Sequence, residues 1–119
     1  MSAEIVDRTE GVLTVKITGK LTQPELAAVQ KQAGEILKQQ GRGRILVLIE
    51  NFTGTVKAGD WGDISFQAQY DRLIEKIAFV GEKKWEDIVL LFTGKGVRRV
   101  PIEYFKPDDL TKAKAWLTA

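Results

Sequence analysis

The sequence predicts an α/β fold: a mixed five-stranded sheet carrying helices, in the element order ββαβαβαβα. Three observations predict it. Leu13, Val15 and Ile17 alternate with Thr14, Lys16 and Thr18, a period of two that marks a strand with one wet face. Ile45–Ile49 and Ile77–Val80 are apolar without alternation, as in parallel strands buried on both faces. The stretches between and beyond them carry apolar residues at helical spacing. A strand pair followed by strand–helix units implies a mixed sheet, with right-handed crossovers between its parallel strands.

The elements follow in order. Strands over Ala3–Arg8 and Val12–Thr18 flank Glu10-Gly11, a hairpin turn. Thr22-Gln23-Pro24-Glu25 starts a helix: Thr22 can accept from the amide three residues on, Glu25 can reach back, and proline is harmless in a first turn. Leu26, Val29, Ala33, Ile36 and Leu37 form its inner stripe, and Gly41 and Gly43 end it. The Ile45–Ile49 strand leads into a loop, Glu50–Lys57, and then a helix from Ala58 to Ile74. After Ile77–Val80 comes a helix over Lys83–Phe92, with Trp85, Ile88, Val89 and Phe92 at i, i+3, i+4 and i+7. The last strand, Arg99–Phe105, contains Pro101, which cannot complete a ladder and so belongs at an edge. Pro107 opens a terminal helix, with Asp108 and Asp109 at its positive end and Leu110, Ala113 and Leu117 on its inner face.

Composition narrows the chemistry. The 119 residues make one domain, 1–119, with no low-complexity tract or internal repeat. There is no cysteine and no histidine, and the only serines are Ser2 and Ser65. Thiol nucleophiles, thiolate metal sites and a Ser-His-Asp triad are therefore excluded. The commonest general base is missing as well. No enzyme activity and no cofactor or metal are expected. Eighteen basic residues are interspersed with sixteen acidic ones, a formal charge of +2, so no nucleic-acid partner is expected. The longest apolar runs, Ile45–Ile49 and Ile88–Phe92, fall far short of the ~20 residues a membrane span needs. A cytoplasmic location is the expectation. Gly94-Lys95-Gly96 is no phosphate loop, because no Ser or Thr follows Lys95 and the segment follows a helix.

Four segments together resemble the SpoIIAA-like family, a branch of the STAS superfamily that includes anti-sigma-factor antagonists. They are Gly19-Lys20-Leu21-Thr22, Ile49-Glu50-Asn51-Phe52-Thr53-Gly54, Ile77 through Trp85, and Tyr104 through Leu110 continuing to Ala113, Trp116 and Leu117. The resemblance implies a compact α/β domain without a cofactor, often an interaction module. It also brings the fold close to lipid-transfer domains of the CRAL-TRIO type. Anti-sigma-factor antagonists are switched by phosphorylation of a serine at the start of the second helix. Here the region Phe52–Trp61 has no serine, and Thr53 and Thr55 are its only hydroxyls. The phosphoswitch is not carried over.

Two surfaces are candidates. Phe66, Tyr70, Leu73 and Ile74 share one side of the second predicted helix, opposite Trp61, Ile64 and Ala68. A helix with two apolar sides needs a neighbouring helix, a second subunit or a ligand on the second one. Phe66, Tyr70 and Leu73 are the anchors for a homodimer or another protein partner. The other candidate is a rim at the carboxyl ends of the parallel strands, made of Phe52, Thr53, Thr55, Trp61, Lys83, Lys84 and Trp85. It would be a shallow apolar pocket with a cationic lip, suited to an apolar ligand or an acyl acid. The alternative is that Trp61 and Trp85 are core anchors and the lysines are solvated.

Overall fold

An antiparallel hairpin starts the sheet. In the computed structural model, which describes residues 2–9, 11–56, 65–93 and 99–119, β1 (Ala3–Thr9) pairs with β2 (Val12–Leu21). Gly11 in the connecting turn has φ +77°, a conformation glycine enters without strain. β3 (Gly43–Thr55), β4 (Ile74–Val80) and β5 (Ile102–Phe105) then add in parallel, so the order across the sheet is β1-β2-β3-β4-β5. α1 (Gln23–Gln40), α2 (Ser65–Tyr70) and α3 (Glu86–Thr93) fall in the three crossovers, and α4 (Leu110–Thr118) follows β5.

Every parallel step moves the same way across the sheet. A single crossover hand therefore puts α1, α2 and α3 on one face. There Val29, Leu37, Phe66 and Val89 join Val15, Ile45, Val47, Ile77 and Phe79 in the larger core. α4 takes the opposite face, where Ala113 and Leu117 pack with Leu46, Ala78 and Val80. It lies over β3, β4 and β5, and the wet side of β2 lies beyond it. Lys16 and Thr18 are half-buried on that side as the alternation predicts, but Thr14 is buried, at 8% exposure.

The start of α1 is built as its sequence implies, with one change of partner. Thr22 Oγ1 accepts from the Glu25 amide at 3.3 Å. Glu25 returns one oxygen to the Thr22 hydroxyl, which donates at 2.9 Å, and the other to the Ser2 amide at 2.7 Å. The carboxylate thus caps the helix and ties β1 to it. These donors, the Ser2 amide foremost, hold the Glu25 carboxyl below its ordinary pKa.

Several boundaries differ from expectation. β2 runs on to Leu21, and Glu50–Thr55, expected as loop, belongs to β3. The strand continues because β2 follows it through two register shifts, and those shifts destroy the alternation that marks a strand. The second helix was expected to reach Ile74. Instead α2 ends at Tyr70, a 3₁₀ turn spans Asp71–Leu73, and Ile74 opens β4 opposite Gly43. The Ala58–Ile64 part of that expectation lies outside the described residues. The third helix begins with a 3₁₀ turn, Lys83–Trp85, which turns faster per residue than α and shifts the phase of the stripe. Ile88 accordingly points outward, 43% exposed, while Val89 and Leu90 join the core. β5 is shorter than expected and leaves Pro101 just outside it, although the Pro101 carbonyl still accepts from the Ile77 amide at 3.0 Å. The strand is at an edge, as the proline implied.

Candidate functional site

The most irregular backbone lies where β3 leaves the middle of the sheet. Thr18 pairs with Glu50, Gly19 with Phe52 and Lys20 with Gly54, so Asn51 and Thr53 are extra residues with no partner on β2. Asn51 has φ +52°, the only non-glycine residue among those described with positive φ. Asparagine is among the side chains that tolerate this region best. Gly19, at φ +62°, and Gly54, at φ +120°, absorb the rest of the bend.

On its other edge β3 stays with β4 only as far as Leu48 and Val80. Beyond that pair the two chains part and a groove opens between them. Its volume is about 410 Å³, and it is lined by Leu48–Asn51 from β3, Val80 at the end of β4, Glu82 just beyond it, Pro107 in a 3₁₀ turn before α4 and Leu110 at the start of α4. Doubly wound sheets form their crevice where the strand order reverses. This sheet never reverses. The opening is instead the parting of two neighbouring strands, with α4 as the third wall.

The residues expected to form a ligand rim are divided by the fold. Phe52 is buried on the face that carries α1 to α3, and Trp85 meets it edge-on with ring centroids 4.8 Å apart. They are core partners. Lys84 lies 5.4 Å from the Trp85 ring centre, and Lys83 is exposed. Thr53 is exposed, Thr55 half-buried, and Trp61 lies outside the described residues. None of the described members of that set lines the groove. Among the described residues, the charged side chains that do are Glu50 and Glu82, so this lip is acidic rather than cationic. Nothing in the sequence alone showed that these two glutamates share an opening, because that depends on where β3 and β4 separate.

Phe66, Tyr70 and Leu73 are also placed. All three are half-buried, and Phe66 and Leu73 pack against the larger core. The Tyr70 ring lies on Gly34 of α1, 5.2 Å from Phe66. A neighbouring helix thus takes up part of the surface nominated for a partner.

Tyr104 supports the groove from behind. Its hydroxyl donates to the Glu82 carbonyl at 2.7 Å and fills the space beside Gly81 where a Cβ would stand. Burial, with the Glu86 and Glu82 carboxylates adding to it, pushes its pKa up to about 12. Among the described residues, no three acidic side chains gather in a way that could hold a metal ion.

The molecule is an α/β domain with a mixed sheet wound in one direction and a groove where β3 and β4 part. The sequence profile of the SpoIIAA-like family matches residues 12–118, and the chain belongs to that family. Its fold generally serves as a regulatory, non-enzymatic module. Among solved structures, an uncharacterized protein from Shewanella loihica PV-4 with a SpoIIAA-like fold superimposes with a TM-score of 0.71. The two chains are 18% identical, and the match covers 98% of this chain and 94% of that one. No curated protein matches. Among the described residues, no helix is long and apolar enough to cross a membrane.

Proposed function

We propose that this chain is a binding module that acts without covalent chemistry, as a carrier or sensor of a small apolar ligand seated in the groove between β3 and β4. The observation that carries the reading is the groove itself. It has apolar walls of Leu48, Ile49, Val80, Pro107 and Leu110, with Glu50, Asn51 and Glu82 as its polar lining. Its volume is within the ~300–1,000 Å³ of small-molecule pockets. A sequence with no cysteine and no histidine supports non-covalent work and is compatible with a cytoplasmic location. Native mass spectrometry of freshly purified protein and a thermal-shift screen of small amphiphiles test it. Saturable stabilisation that disappears in Leu110→Trp, which fills the groove, supports the reading. No carried ligand and no stabilisation by any amphiphile would refute it.

A second reading is self-association or docking of a protein partner through α2. It is favoured by Phe66 and Tyr70, neighbouring aromatics that both stay partly exposed. Gln69, exposed beside Phe66 on the same helix, is the position to perturb, since Gln69→Arg changes that surface without entering the core. Light scattering over a concentration series decides. A dimer broken by Gln69→Arg supports this reading, and a monomer at every concentration removes self-association.

A further inference from the structure

The charge at the mouth of the groove specifies more than an apolar ligand. Glu50 stands two residues beyond Leu48, and Glu82 two residues beyond Val80, and Leu48 and Val80 are register partners on adjacent parallel strands. Both glutamates line the opening, and among the described residues no lysine or arginine does. Among the described residues each has a lysine nearby, Lys16 beside Glu50 and Lys84 beside Glu82, both at 3.8 Å. These are long contacts between well-exposed side chains, with exposures of 36% and 51% in the first pair and 64% and 56% in the second. Pairs of that kind hold their partners weakly. An incoming cation can take their place at little cost. An incoming carboxylate meets two like charges.

The apolar side is equally defined. Leu48, Val80 and Leu110 belong to the smaller core, and each also lines the groove. A hydrocarbon body laid along them would cover apolar surface that the fold leaves open between β3 and α4. The volume of about 410 Å³ suits one short chain or ring, and excludes a pair of long acyl chains.

We infer that the groove selects an amphiphilic cation, with an ammonium group held between Glu50 and Glu82 and a short apolar body against Leu48, Val80 and Leu110. The inference rests on the proposed function, since it names the ligand class for that same groove. It reverses the acyl-acid preference drawn from Lys83 and Lys84, which do not line the opening.

The test uses octylamine, octanol and octanoate at pH 7, where the amine is cationic. They share a tail and differ in head-group charge. Titrations followed by amide shifts in nuclear magnetic resonance give affinity and location together. The expected result is octylamine about tenfold tighter than octanol and octanoate weakest, with shifts at Asn51, Gly81 and Leu110. The preference should shrink as salt is raised. It should vanish in the Glu50→Gln/Glu82→Gln double variant, with octanol binding unchanged. Octanol or octanoate binding as tightly as octylamine would overturn the charge inference and leave the groove reading intact. No saturable shift around the groove with any of the three would overturn both.

Discussion

Gly34 is held to glycine by the ring above it, and its substitution has a sign that can be worked out. It lies in the middle of α1 and is buried. A Cβ at this position would meet Cζ of Tyr70 and lie 2.5 Å from Cε2 and 2.9 Å from Cε1. Carbon atoms rest at about 3.5–4.0 Å, so the ring must retreat by about 1 Å. It has little room, with Phe66 5.2 Å away on one side and Lys38 Nζ 5.9 Å from its centre on another. Alanine gains about 1 kcal/mol over glycine in a helix interior. Overpacking costs about 1–3 kcal/mol. The clash wins: Gly34→Ala should destabilise the protein by about 1 kcal/mol, which lowers the melting temperature by roughly 4 °C at this chain length. In a Tyr70→Ala background the obstacle is gone, and the same change should stabilise by about 1 kcal/mol. Urea denaturation of the four proteins of this double-mutant cycle measures both numbers. If Gly34→Ala stabilises the protein with Tyr70 in place, the claim that α2 rests on α1 through this ring is wrong.

Other outcomes follow from the same contacts. Tyr104 has its folded pKa raised from 10.0 to about 12, so its contribution is fully present below pH 10 and is lost as pH rises through about 12. Absorbance titration should show one late tyrosinate, absent in Tyr104→Phe, and that variant should lose about 1 kcal/mol with the hydrogen bond to Glu82. Thr22→Ala removes the helix cap and should cost about 1 kcal/mol by thermal denaturation. Glu25 has a lowered folded pKa, so its stabilisation is present above the ordinary value of 4.5 and is lost as pH falls through the folded pKa. Denaturation midpoints of Glu25→Gln should therefore show a shallower acid dependence than the parent. Phe52→Ala empties a buried ring site against Trp85 and should cost about 3 kcal/mol, with a red shift in tryptophan emission as water reaches the indole.

Legibility in the sequence followed physical range. The alternation of Leu13, Val15 and Ile17 is a local signal, and so are the unbroken run at Ile45–Ile49 and the cap at Thr22. Each led to the right element. Pro101 marked an edge because a missing amide limits any strand. The extension of β3 was hidden because Asn51 and Thr53 are unpaired, and pattern rules assume that pairing is regular. Ile74 read as helical because it follows Tyr70 at helical spacing. Pairing with β3 opposite Gly43 overrode that preference. Aromatic and basic residues near the strand ends suggested a cationic rim. Their true neighbours are set by which face each bulged residue takes, a tertiary property. Phe52 turned into the core, and Glu50 and Glu82 were left at the opening.

One helix has two masters. Ala113 and Leu117 fasten α4 to the sheet, while Leu110, a turn earlier, stands at the groove with Pro107 of the 3₁₀ turn that leads into the helix. Whatever fills that space leans on the same short segment that seals the far side of the barrier between sheet and water. If the groove takes a ligand as proposed, occupancy and the clamping of α4 become one coupled equilibrium. A bound guest would then slow hydrogen exchange along Leu110–Thr118, and a loosened α4 would release the guest, so the last helix would carry the state of the groove to its own outer side.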